Sequence, residues 1–222
     1  LVVIQLGAIL AVVVMYFHKL NPFSPTKSSR QKDATWALWI KIVIACVPAA
    51  VLGLLLDDWM EAHLFNAYVV AAALILTGFL LFFSDRARKG RKDARSATVL
   101  DVLVVGVSQA IATVPGISRS GMTITTGCFV GYERRFAVRF SFLLSIPAVL
   151  GANILSLKDA MDAGIDWSQV PVYLVGVITA AVVGYLCIRL LKMIADKGKF
   201  GFFAYYCWAV GLLTLILTII KK

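Results

Sequence analysis

The sequence predicts an all-α integral membrane protein, a polytopic bundle of about six transmembrane helices with one re-entrant helix hairpin. Three observations lead there. Hydrophobic residues make up 60% of the chain and charged residues 15%, with a mean hydropathy of +0.87, where soluble domains carry about 25% charged residues. Apolar runs of near-spanning length recur, and the loops between them alternate between basic and acidic. One apolar region is split by Pro115-Gly116, with Arg119 immediately beyond the break.

Taken in order, Leu1 to Phe17 forms a first apolar run interrupted only by Gln5, and His18 to Thr35 a basic loop carrying Lys19, Lys27, Arg30 and Lys32. Trp36 to Leu56 is the second span, with a Trp pair and a snorkelling Lys41 at its interface and Pro48 within it. Asp57, Asp58, Glu61 and His63 then read as a solvated external turn rather than a metal site. Ala67 to Phe83 crosses back to Asp85–Arg95, where six basic residues face two acidic ones.

The arms Val99–Val114 and Ser118–Val130 are each too short for the ~30 Å hydrocarbon core, so they are expected to enter and return on one side. The next loop, with Arg134, Arg135 and Arg139, is again basic. Phe136–Leu157, Val170–Ile188 and Phe202–Ile220 complete the spans, with Asp159, Asp162 and Asp166 on the acidic side. With Arg189, Lys192, Lys197 and Lys199 after the Val170–Ile188 span, the four basic regions hold 17 of the 22 Lys and Arg, which marks them as cytoplasmic. One membrane domain is therefore expected over 1–222. Residues 1–83 supply three spans, 84–98 a basic cytoplasmic linker, 99–131 the hairpin and 136–220 three more spans.

The net charge of +10 is thus a topology signal and argues against a nucleic-acid partner. Cys46, Cys128, Cys187 and Cys207 lie in apolar segments without metal-ligand spacing and read as packing residues. The chain opens at Leu1 in mid-hydrophobic run, without initiator Met or signal peptide, and reads as the larger part of a longer protein.

Arg119 is the residue that needs a reason, because an Arg at bilayer depth costs about 2.5–3.5 kcal/mol on insertion scales. Proline and glycine break the helix before it, so a second helix should start near Ser118–Gly121 with its free N–H groups beside the guanidinium. Ser118, Ser120 and Thr123 add hydroxyls, and the whole suits a phosphate. The structural alternative is an Arg that satisfies carbonyls at the break or pairs with a neighbouring acid. For Gln109, bridging helices and touching substrate stand equally open.

The blocks Pro115–Gly121 (PGISRSG), Gly106–Gln109 and Phe140–Pro147, with the opening Val2–Val14, resemble the undecaprenyl pyrophosphate phosphatase family, also called the bacitracin-resistance proteins. The resemblance covers essentially the whole chain. It implies two inverted-topology halves, each with a re-entrant helix pair, in a multi-pass protein of the bacterial cell membrane. It implies hydrolysis of undecaprenyl pyrophosphate to undecaprenyl phosphate and phosphate, recycling the cell-wall carrier lipid and lowering bacitracin sensitivity.

Arg119, Ser118 and Ser120 are then the expected catalytic residues. Substrate contacts are expected from the same three and from Thr123, Gly116, Gly121 and Gln109. The family's first hairpin, with its glutamates, should lie upstream of Leu1. The implied divalent cation, Mg²⁺ or Ca²⁺, therefore has no ligands here, and this piece alone is expected to be inactive. The partners implied are the polyprenyl pyrophosphate, membrane lipids and a second copy in a homodimer. A transporter or flippase of a phosphorylated lipid, built from broken helices, is the rival class. A histidine-dependent lipid phosphatase is disfavoured, since His18 and His63 both precede the Ser-Arg pair.

Overall fold

The computed structural model describes residues 2–86, 90–163, 167–197 and 200–220. Eight α-helices are described: α1 (Val2–Leu20), α2 (Ser29–Leu64), α3 (Ala67–Ser84), α4 (Val99–Ile111), α5 (Arg119–Phe129), α6 (Arg134–Ala163), α7 (Val170–Asp196) and α8 (Phe202–Ile220). A single 3₁₀ turn, Trp167–Gln169, precedes α7. Six of the helices are long and apolar enough to cross a membrane; α4 and α5 are not. The chain is an all-α polytopic membrane protein.

Several helices run further than the sequence suggested. The acidic stretch read as an external turn is helical, and α2 continues through Asp58, Glu61 and His63 to Leu64. No Gly or Pro interrupts residues 54–65, and carboxylates tolerate a helix that emerges into the headgroup zone. His63 stacks on Trp59 with ring centroids 4.9 Å apart, and its Nδ1 lies 2.9 Å from the Trp59 carbonyl. The break comes at Asn66, whose Oδ1 accepts the Val69 N–H at 3.0 Å and starts α3. Likewise α6 extends to Ala163 and α7 to Asp196. Asp166, expected on the same acidic loop, lies outside the described residues, as do the side chains of Asp159 and Asp162.

Side-chain contacts gather the basic ends of the helices on one side. Asp85, just after α3, bonds Arg134 Nη1 of α6 at 2.8 Å and accepts the Phe200 and Gly201 N–H groups before α8. Arg135 meets Asp196 at the end of α7 at 2.7 Å. Lys41 donates to the Ala94 carbonyl at 2.7 Å and Trp39 Nε1 to the Leu20 carbonyl at 2.9 Å.

The core lies between α2, α4, α5 and α6. Ile42, Ala45, Val102, Leu143 and Leu144 are fully buried there, and Tyr132, Phe136 and Phe140 pack with tilted and edge-on rings at its basic end. Close approach of α2 and α4 depends on Gly106, where a Cβ would sit 2.5 Å from the Ala45 carbonyl oxygen. The contacts α1·α6, α3·α8, α1·α7 with α2·α6, and α1·α2 with α6·α7 map onto themselves when α1, α2 and α3 are exchanged with α6, α7 and α8. Contacts of the hairpin, α2·α4, α3·α5 and α5·α6, have no mate under that exchange among the described residues.

Candidate active site

The two short helices form a hairpin whose open ends are fastened together. Thr98 caps α4 in a reciprocal box: its hydroxyl accepts the Asp101 N–H at 3.2 Å and Asp101 Oδ2 accepts the Thr98 N–H at 2.9 Å. Lys92 Nζ lies 2.8 Å from both Asp101 oxygens. The same residue donates its backbone N–H to the Gly131 carbonyl at 2.9 Å and accepts the Glu133 N–H at 2.8 Å. One lysine thus ties the start of α4 to the end of α5 and the start of α6. Beside it, Asp93 accepts N–H groups from Ser96 and Arg95 and the Ser96 hydroxyl, chiefly the Ser96 N–H, which holds its carboxyl below the usual range.

At the closed end, Gly116 has φ +94°, in the left-handed region where a side chain is strained. A Cβ there would also lie 2.7 Å from the Val70 carbonyl oxygen of α3. The tip is therefore wedged against α3 three to six residues from its start. At 1.5 Å per residue this puts the tip ~5–9 Å from the acidic-side end of α3 and ~17–21 Å from Ser84. Thr113 Oγ1 lies 3.4 Å from Met60 Sδ, near the same end of α2.

Arg119 is the first residue of α5, and Ser118 is its N-cap, accepting the Gly121 N–H at 3.1 Å. That cap uses a lone pair and leaves the Ser118 hydroxyl proton free to donate. Gly121 gives the cap room, since a Cβ there would meet Ser118 Oγ at 3.1 Å. The backbone N–H groups of Arg119 and Ser120 have no acceptor among the described residues. Both side chains are exposed on the bundle surface, and the guanidinium makes no hydrogen bond or ion pair among the described residues. The alternative of a structural Arg locked to a carboxylate or to carbonyls is therefore not what the structure shows.

Thr123 is placed differently from Arg119 and Ser120. It is 2% exposed, donates to the Arg119 carbonyl at 2.9 Å and lies 2.7 Å from Ser141 Oγ of α6. Gln109 is also 2% exposed; its side chain reaches the Cys46 thiol of α2, close enough to Arg119 for the thiol to feel its charge. Ser141 and Thr77 were not singled out in the sequence, and Cys46, read there as a packing residue, is also the partner of Gln109. Thr77 approaches the Ser118 N–H at 3.4 Å, and its one signal was a hydroxyl in an otherwise apolar span. No cluster of three His, Cys, Asp or Glu forms among the described residues, so the side chains around this tip do not fit the implied divalent cation.

A cationic fork, two free backbone N–H groups and two donor hydroxyls thus lie within three consecutive residues at a helix start on the surface of an apolar bundle. The arrangement can bind and polarise a group bearing several phosphate oxygens. Undecaprenyl-diphosphatase from Streptococcus thermophilus is 41% identical over 99% of this chain and 78% of its own length. The proteins of the same name from Lactiplantibacillus plantarum and Enterococcus faecalis are 42% and 39% identical, over 96% and 95% of this chain and 80% and 78% of theirs. The family described as Bacitracin resistance protein BacA matches residues 1–213, and the chain belongs to that family.

Proposed function

We propose that the full-length protein carries out the reaction for which this chain's relatives are named, hydrolysis of undecaprenyl pyrophosphate to undecaprenyl phosphate and phosphate in the bacterial cell membrane. The observation that carries this is the unpaired Arg119 at the start of α5, with the Arg119 and Ser120 N–H groups free beside it. The relatives' names favour this reading over a transporter or flippase.

The hairpin enters from the basic, cytoplasmic side; its Gly116 turn lies against Val70 while Ser118, beside Arg119, is level with Thr77, so the diphosphate is gripped at about the middle of α3. Arg119 and the two N–H groups hold the diphosphate oxygens, with Ser118 and Ser120 donating from their hydroxyls. Water attacks the terminal phosphorus, the bridging P–O bond breaks, and undecaprenyl phosphate leaves with that oxygen. Charge growing on the bridging and terminal oxygens meets a preorganised cation and dipole where little water screens them. The polyprenyl tail lies along apolar helix faces. Gly116 and Gly121 shape the backbone, Thr123 braces the turn that carries Arg119, and Gln109 fixes α4 against α2. No step is routed through the divalent cation.

Phosphate release from the polyprenyl diphosphate by the full-length protein in proteoliposomes tests this. Arg119→Ala should lower kcat/KM by about 10²–10³ and Arg119→Lys by less, because an ammonium keeps the charge but loses the fork. Release unchanged in Arg119→Ala, or translocation of the lipid without release, would overturn the proposal.

A further inference from the structure

At the basic end of the bundle, on the side away from the hairpin tip, a cavity of about 450 Å³ opens between α1, α6 and α7. Tyr16, Lys19, Arg135, Arg139, Lys192 and Asp196 are among its lining residues. Arg135 and Asp196 neutralise each other at 2.7 Å. Lys19, Arg139 and Lys192 are left without a counter-charge among the described residues. Lys192 sits 5.3 Å over the Tyr16 ring and Arg139 5.4 Å over that of Phe136, so both cations are held in place by aromatic faces. Arg139 Nε is buried and has no acceptor. A buried guanidinium N–H with nothing to donate to is costly and asks for an anion.

Two neighbouring cavities show what kind of anion fits. One of about 290 Å³ shares Lys19 and Arg139 and adds Lys27 and Arg95, extending the cationic wall toward the cytoplasmic loops. Another of about 460 Å³ shares Met15 and Lys192 and runs onto Tyr185 and Met193 along the groove between α1 and α7. Beyond it, Val14 and Phe17 of α1 and Leu186 and Leu190 of α7 are exposed and apolar. The charged cavity thus continues into surface that acyl chains would cover.

We propose that this groove binds an anionic phospholipid of the cytoplasmic leaflet, its phosphate on Arg139, Lys192 and Lys19 and its chains along α1 and α7. Basic pockets between membrane helices on the cytoplasmic side suit such headgroups. The site is separate from the diphosphate site at Arg119, and the inference does not depend on it.

The test uses the protein in phosphatidylcholine nanodiscs doped with phosphatidylglycerol, with retained phosphatidylglycerol counted by native mass spectrometry. A parallel titration adds inorganic phosphate to discs of phosphatidylcholine alone. Wild type should retain phosphatidylglycerol and bind no inorganic phosphate. Lys19→Gln should weaken retention about fivefold and Arg139→Gln/Lys192→Gln about 25-fold, at roughly fivefold per charge removed. Arg30→Gln removes the same charge outside the cavities and should leave retention unchanged. If the double variant does not fold, Lys19→Gln against Arg30→Gln decides. Equal retention in all variants, an equal loss in Arg30→Gln, or saturable binding of inorganic phosphate in the phosphatidylcholine discs would each overturn the proposal.

Discussion

The Arg119 guanidinium makes no hydrogen bond or ion pair among the described residues, while its own backbone carbonyl is held by a neighbour. Thr123 supports the Arg119 carbonyl and is itself held by Ser141, so the α5 start is braced from α6. Thr123→Val should remove both bonds and cost about 1–3 kcal/mol of stability, read as a lower Tm in detergent. Ser141→Ala leaves the bond to Arg119 intact and should cost about 1 kcal/mol. Gly116→Ala meets both a positive φ and the Val70 carbonyl, and should lower Tm more than Gly53→Ala, where a Cβ meets nothing within 4 Å. At this scale the sequence was readable where the information was local: Pro115, Gly116 and the Ser118 cap lie within four residues of Arg119. It was silent on the contacts of Ser141 with Thr123 and of Cys46 with Gln109, because they join positions far apart in the chain and nothing in a helix's own sequence says which neighbour its polar face will meet.

Helix existence followed from hydropathy, while helix ends followed from caps and breakers that hydropathy underrates. Asp58 and Glu61 look like a loop by charge, yet α2 carries them because nothing breaks the backbone until Asn66. Hairpin closure was visible only as two arms too short to span. The residue that closes it, Lys92, lay among six basic residues with no mark to single it out. Lys92→Met leaves the Asp101 carboxylate, 11% exposed, without its partner. It should cost about 1–3 kcal/mol and raise amide hydrogen exchange at the first turn of α4, with Lys92→Met/Asp101→Asn recovering part of the loss. Unchanged exchange there would mean that the backbone bonds of Lys92 suffice.

Across the whole molecule, the basic ends of the helices are pinned together by Asp85, Arg135 and Lys41, and the hairpin starts from that platform. Its length sets how deep the tip reaches: α4 and α5 extend roughly 20 Å and 16 Å, which sets Gly116 against Val70 near the acidic end of α3 and Ser118, beside Arg119, level with Thr77 near the middle of that helix. On the proposed function, the cost of a lone guanidinium among apolar helices is offset when an anionic ligand binds it. The alternation of basic and acidic loops already gave this topology in the sequence, whereas the register of the tip against α3 needed the fold. The most direct measurement is equilibrium binding of a non-hydrolysable methylene-diphosphonate analogue of the polyprenyl lipid to wild type and Arg119→Ala in the same detergent. The expected result is a 10- to 150-fold weaker Kd for Arg119→Ala, about 1.5–3 kcal/mol for a lost charge-assisted hydrogen bond; an unchanged Kd with intact folding would contradict the account.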